Sequence, residues 1–225
     1  MGFDIAVPSA DEAAAASDIH LRAMDANLLT QAQFPGPAAR EFFRGWLTRN
    51  TFQHARDADK GVLVARDPAS GRVASFVKWL VHGPGGAEVA ARDLEGWSDI
   101  CGTAVLRSYG ELAEAARRQA LGTSPYYHVT FLCTDPQWGG RGAATALLGR
   151  VQELAAADGM AIILESTMEG VPLYQKMGFR TERELNMTLP PGASTEPAQP
   201  YEERCMVWTP PHALGDFGSK RPAQA

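Results

Sequence analysis

The chain has 225 residues, 45% apolar and 21% charged, with a formal net charge of −5, which suits one enlarged domain, or two small ones, with a real core. The acidic balance excludes a general nucleic-acid footprint, which needs a basic stripe, and no apolar run reaches the length of a membrane span. Three scattered cysteines, Cys101, Cys133 and Cys205, exclude a zinc knuckle or a disulfide framework and suit a reducing, cytoplasmic setting in which they are buried as small apolar residues.

The opening MGFDIAVPSADEAAAASDIH lacks the basic and continuously apolar parts of a secretory signal, and Ala6 stands where a myristoylation motif needs Ser or Thr. Residues 3–7 read as a short strand. Ser9, followed three residues later by Glu12, forms a capping box for a helix running toward Asn27, with a break at 34–37. A second helix is expected over about 38–49, where Ala39, Phe42, Phe43, Trp46 and Leu47 share one face. Two strands, 61–67 and 72–82, are joined by the turn Pro68-Ala69-Ser70-Gly71. From 83 to 125 the pattern changes to a Gly/Pro opening and then a helical face of Val105, Tyr109, Leu112 and Ala116, stopped by Gly122. A strand over 126–134 leads into the segment Thr134-Asp135-Pro136-Gln137-Trp138-Gly139-Gly140-Arg141-Gly142, and then into a helix ended by Gly159. Residues 161–167 read as an apolar strand carrying one acid, Glu165. A short helix over 171–177 and strands over 180–189 and 203–208 complete the order, and 211–225 is expected to be a flexible tail. This order predicts an α+β fold, an α/β/α sandwich on a mixed, mostly antiparallel sheet, with residues 1–210 as one domain and 83–125 as an insertion.

The glycines before the fourth helical pattern need a reason, because glycine in an ordered segment costs conformational entropy. Strand, tight turn and helix follow one another here, so the first helical amides lack partners and the positive end of the helix dipole faces the loop. Gly139, Gly140 and Gly142 hold no Cβ in the way, and Arg141 adds a positive charge. The loop suits a phosphate or pyrophosphate. Its spacing is neither the dinucleotide G-x-G-x-x-G nor a Walker loop.

Gln137-Trp138-Gly139-Gly140-Arg141-Gly142 resembles the Q/R-x-x-G-x-G/A pyrophosphate loop of the GNAT superfamily of N-acetyltransferases. Leu132-Cys133-Thr134-Asp135-Pro136 looks like that family's fourth strand, and Pro172-Leu173-Tyr174-Gln175-Lys176-Met177-Gly178-Phe179 is similar to its late LYxKxGF segment. The strong match covers about 126–180. The resemblance implies two central strands that splay apart, with acyl-CoA in the wedge. The pantetheine arm would pair with the backbone of Leu132, Cys133 and Thr134 as an added strand. The pyrophosphate would rest on amides from Trp138 to Ala143, helped by the side chains of Gln137 and Arg141. In related fungal-type small-molecule acetyltransferases, insertions comparable to 83–125 cover the acceptor site; here the segment covers that site or enlarges the core.

Acyl transfer from a thioester to an amine needs a neutral amine, a stabilised carbonyl oxygen and a proton for the leaving thiolate. Tyr174 matches the family's tyrosine at the thiol, and a backbone N–H near Cys133 or Thr134 matches the oxyanion contact. His128 stands where arylalkylamine acetyltransferases carry histidine, and its ordinary pKa suits proton pickup near neutrality. Glu165 is a second candidate base, or a buried structural carboxylate, or a group that binds a cationic amine. Thr167 departs from the family, standing seven residues before the tyrosine where many relatives carry Asn. The expected activity is acetyl-CoA-dependent N-acetyl transfer, directly within a ternary complex, to a small-molecule amine. Acetyl-CoA serves as co-substrate without a metal, and no nucleic acid or membrane takes part; the protein is expected to be a monomer or homodimer. The alternative is an acyl-CoA-binding pseudoenzyme or sensor without turnover.

Overall fold

The computed structural model describes residues 2–84, 99–191 and 198–211. β1 (Asp4–Ala6) leads into α1 (Ala10–Ala23), whose capping box forms as expected: the Glu12 N–H donates to Ser9 Oγ at 3.4 Å and the Ser9 N–H to Glu12 Oε2 at 2.7 Å. The helix does not continue to Asn27. That residue starts a new helix, α2 (Leu28–Gln33), with its Oδ1 accepting the Thr30 N–H at 2.8 Å. An asparagine side chain that satisfies a free amide is worth more at a helix start than inside a helix. α3 (Gly36–His54) has Pro37 in its first turn, and is followed by the hairpin of β2 (Lys60–Arg66) and β3 (Val73–His82). The second half contains α4 (Thr103–Leu121), β4 (Tyr126–Thr134), α5 (Ala143–Ala157), β5 (Ala161–Thr167), α6 (Val171–Lys176), β6 (Arg180–Leu189) and β7 (Gln199–Trp208).

The strands form one seven-stranded sheet in the order β1-β2-β3-β4-β5-β7-β6. Only the β4–β5 pairing is parallel; the others are antiparallel. α5 and α6 cover one face, where Leu147, Leu148, Val151 and Ala155 pack on Val77, Tyr127, Val129, Ile162 and Leu164. α1 and α3 cover the opposite face over β2 to β4, and α4 continues the layer over Tyr126, Ile163, Cys205 and Val207. All three cysteines are buried thiols, as expected. The tail 212–225 and the stretch 85–98 of the expected insertion lie outside the described residues; the rest of that insertion is mainly α4.

Two features prepare the site. β4 and β5 pair only from Tyr126↔Ala161 to Val129↔Leu164; beyond that, β4 stays with β3 while β5 stays with β7. The register against β3 slips between Lys78 and Trp79, which leaves Thr130 as the extra residue of a bulge in β4. A bulge bends its strand and increases the local twist, and it sits where β4 leaves β5.

Candidate active site

The loop after β4 is fixed by Asp135, which is 2% exposed. Its Oδ1 accepts the Gln137 N–H at 3.0 Å, starting the short 3-10 turn Pro136–Trp138. Its Oδ2 accepts both Arg22 Nη2 at 2.7 Å and Nε at 3.2 Å, which ties the loop to α1. Although burial works against the charge, the Gln137 N–H and Arg22 hold the Asp135 carboxyl below its usual range. Gly140 and Gly142 adopt φ of +71° and +87°, the left-handed region that side chains other than glycine enter at a cost. A Cβ at either position meets no atom within 4 Å, so the space they face is open. The first bond of α5 is Ala146 N–H to the Gly142 carbonyl at 3.0 Å. The amides of Ala143, Ala144 and Thr145 therefore have no partner inside the helix and point out of its positive end. Arg141 lies with its guanidinium carbon 4.9 Å from the Trp138 ring centroid, at the exposed rim. Open space, left-handed glycines, unpaired amides and an arginine together fit a pyrophosphate.

The wedge between β4 and β5 supplies the second part. The Cys133 carbonyl accepts Ser75 Oγ at 2.8 Å, and the Asp135 N–H donates to the Ala74 carbonyl at 2.9 Å. Because backbone groups alternate along a strand, Leu132 and Thr134 turn theirs away from β3 and into the wedge. Of the two amides expected for the oxyanion contact, Thr134 rather than Cys133 faces the right way. Tyr174 of α6 shares the α5-side cluster with Leu132 of β4 and is close enough to Cys133 for the thiol to act on its hydroxyl. It is buried, packed edge-on against Phe179 at 5.6 Å. Gly170 lets the ring approach, since a Cβ there would stand 2.8 Å from Ser166 Oγ and 3.1 Å from Tyr174 Cε2. Burial, and then the neighbouring Cys133 and Glu203, push the Tyr174 phenol well up, so it keeps its proton.

His128 and Glu165 meet on the face covered by α4. His128 Nε2 lies 2.8 Å from Glu165 Oε2, while Glu165 Oε1 accepts Arg117 Nη1 at 2.7 Å. Burial opposes ionisation of Glu165, but the charges of His128 and Arg117 prevail and hold it down to about 2. Thr167 follows on the same face, opposite Glu203 in the β5–β7 register. Glu203 accepts Tyr109 Oη at 2.5 Å and Tyr201 Oη at 2.6 Å. The sequence singled out His128, Glu165, Thr167 and Tyr174; the structure sets Arg117, Tyr109, Tyr201 and Glu203 beside them, which the sequence did not single out as site candidates. The signal for Glu203 was present: it interrupts the alternating inward series Tyr201, Cys205, Val207, as Glu165 interrupts its own strand. Among the described residues, no group of three or more His, Cys, Asp or Glu side chains is placed to hold a metal, and no helix is long and apolar enough to cross a membrane.

Residues 103–187 match the sequence model of the acetyltransferase (GNAT) domain. That stretch contains α4, the loop, the wedge and Tyr174. The whole chain also has the fold of known acetyltransferase structures. A mosquito arylalkylamine N-acetyltransferase like 5b superposes with TM-score 0.65 at 18% identity, covering 92% of this chain and 99% of that one. A Drosophila melanogaster polyamine N-acetyltransferase, which forms N-acetylagmatine, gives 0.63 at 18% identity over 92% and 99%. A histone acetyltransferase HPA2 and related acetyltransferase from Corynebacterium glutamicum gives 0.62 at 18% over 93% and 97%. No curated protein sequence matches the chain significantly.

Proposed function

We propose that the protein is a GNAT acyltransferase that moves an acetyl group from acetyl-CoA directly to the nitrogen of a small-molecule amine, with both substrates bound together. The observation that carries this reading is the continuity of wedge and cradle. The unpaired edge of β4, at Leu132 and Thr134, runs straight into the open loop of Gly140 and Gly142, and Tyr174 stands across from it. A pantetheine arm extending β4 as an added strand would bring its pyrophosphate onto the loop amides from Trp138 to Ala143, with Gln137 and Arg141 at the rim. Its thioester would then lie between Thr134 and Tyr174.

In this reading the Thr134 N–H donates to the carbonyl oxygen as charge develops there. Tyr174, held protonated by its buried site, donates its hydroxyl proton toward the leaving sulfur. Glu165 accepts from His128 Nε2–H, which puts the imidazole lone pair on Nδ1 and lets His128 act as base. Glu165 itself, with Arg117 on one oxygen and His128 on the other, orients the imidazole rather than accepting the substrate proton. Thr167 lines the wedge with a hydroxyl where an amide is the commoner group. Residues 1–210 would form the one catalytic domain.

The test is thermal. CoA and acetyl-CoA should raise the melting midpoint, while NAD and ATP should leave it unchanged; stabilisation by NAD or ATP with CoA inert ends the assignment. Release of free thiol from acetyl-CoA across an amine panel then separates turnover from binding alone.

A further inference from the structure

Glu203 differs from every other buried acid near the wedge. It is 4% exposed, yet among the described residues its side chain is held only by neutral groups: Tyr109 Oη on Oε2 at 2.5 Å and Tyr201 Oη on Oε1 at 2.6 Å. Asn27 Nδ2 donates to Tyr201 Oη at 3.0 Å, so α2, α4 and β7 converge on one carboxylate. Arg204 bonds only the main-chain carbonyl of Glu203, at 3.0 Å. Glu165 presents the contrast, with Arg117 on one oxygen and His128 on the other. Each Glu203 oxygen still has accepting capacity beyond its one phenol.

A buried carboxylate without a cation is costly, because phenols satisfy its lone pairs without cancelling its charge. The direction in which it faces gives that cost a use. Glu203 lies opposite Thr167 at the open end of β5. Its charge also acts on the Tyr174 hydroxyl, together with the Cys133 thiol on β4. Glu203 therefore sits on the β7 side of the wedge, beside the open end of β5 and close enough to act on Tyr174, and the counter-charge that no described residue supplies is one that a substrate would bring.

We propose that the Tyr109- and Tyr201-clamped carboxylate of Glu203 is the acceptor subsite, binding the protonated nitrogen of a primary amine and taking its proton before attack. This rests on the acyltransferase reading. The ammonium gives one proton to Glu203, leaving a neutral amine and a neutral carboxylic acid. The amine nitrogen forms the C–N bond to the acetyl carbon as the C–S bond breaks. Tyr174 gives its hydroxyl proton to the leaving sulfur, His128 takes the second proton from nitrogen, and that proton returns to Tyr174. The proton on Glu203 passes to solvent. The sum is ammonium plus thioester to acetamide, thiol and one proton. Burial, only partly offset by the two phenols, raises the carboxyl above its ordinary range, which makes it a stronger proton acceptor than an exposed glutamate.

The experiment titrates phenethylamine at pH 8 into wild-type protein and Glu203→Gln by calorimetry, with and without CoA, alongside steady-state kinetics. Glu203→Gln should weaken amine binding at least about tenfold and lower kcat/KM about 100-fold, with acetyl-CoA affinity within about twofold. Its melting midpoint should be no lower than that of the wild type, since it removes a buried charge that no cation among the described residues pairs. Amine affinity and kcat/KM within about twofold of wild type would overturn the proposal. If Glu203→Gln fails to fold, Tyr201→Phe serves instead. It removes one donor from the carboxylate, so the acid limb of kcat/KM should move to higher pH; an unmoved limb makes the cluster merely structural. Failure of CoA to bind the wild type would count against the acyltransferase reading, and the titration without CoA still reads Glu203 separately.

Discussion

The two faces of the central strands place alternate residues of the same segments in opposite environments. Toward α5, β4 and β5 contribute Tyr127, Val129, Ile162 and Leu164 to an apolar layer with Leu147, Leu148 and Val151. Toward α1, α3 and α4, the same sheet carries Lys78, His82, His128, Glu165 and Glu203. Lys78 is fully buried, with its Nζ 2.5 Å from Asn50 Oδ1. One face gains stability from area removed from water. The other gives some of that up to hold charges in fixed places. Parity along a strand therefore divides residues of the apolar layer from residues that hold buried charge.

The largest effects should test that division through stability. Leu148→Ala, on the α5 face, should cost about 2–5 kcal/mol by leaving a cavity. Arg117→Met should cost a similar ~3–5 kcal/mol, by leaving Glu165 with only His128 in a buried site. pH tells the two apart. With Arg117 present, Glu165 has a folded pKa of about 2 against an ordinary 4.5, so its stabilisation is complete above 4.5 and lost as pH falls through about 2. Without Arg117 the folded pKa rises, and protonation relieves the orphaned charge. The penalty of Arg117→Met in urea unfolding should thus shrink between pH 7.5 and pH 4.5, while that of Leu148→Ala stays constant relative to wild type. A pH-independent loss for Arg117→Met would mean that Arg117 matters by packing, and the two faces would no longer differ in kind.

A somewhat smaller effect is expected at the catalytic candidate that packs with the apolar face. Tyr174 belongs to the α5-side cluster, yet its hydroxyl responds to Cys133 and Glu203. Tyr174→Phe keeps the ring against Phe179 and removes only the donor. kcat should fall about 100-fold, or ~2.7 kcal/mol of barrier, with acetyl-CoA affinity and melting midpoint nearly unchanged. A wild-type rate under conditions where chemistry limits would assign the proton on sulfur to water and leave Tyr174 as a core residue.

The same division explains what could be read in advance. The expected bounds of β4, β5 and β6 coincide with those observed; Pro125 and Asp135 bracket β4, and Pro190 follows β6. The loop and the Tyr174 segment were legible because each is continuous in sequence. β7 starts at Gln199, earlier than the expected residue 203, and the added part contains Pro200. Pro200 pairs only with Thr188 of β6, and β5 joins β7 only from Glu203 onward. A proline without a neighbour on its other side is tolerated in a strand. The partners of the buried charges were beyond reach: Tyr109 meets Glu203 across 94 residues and Arg117 meets Glu165 across 48. Periodicity gives the face on which a charge falls, but only the sheet order says what faces it.

The smallest effect concerns the seam between the loop and the polar layer. Asp135 performs two tasks through different oxygens, capping the Gln137 amide with Oδ1 and pairing Arg22 of α1 with Oδ2. Asp135→Asn can keep the first, because an asparagine oxygen accepts the same N–H. It loses the second, and the Arg22 side chain is 49% exposed, so solvent screens most of what the pair is worth. Stability should fall by only about 1 kcal/mol, and CoA affinity measured by calorimetry should change by about twofold or less. The small loss should vanish in high salt, which screens the wild-type pair as well. A tenfold or greater drop in CoA affinity would show instead that the left-handed glycines need α1 to hold their geometry. The phosphate cradle would then belong to the charged face of the sheet as much as to the helix that follows it.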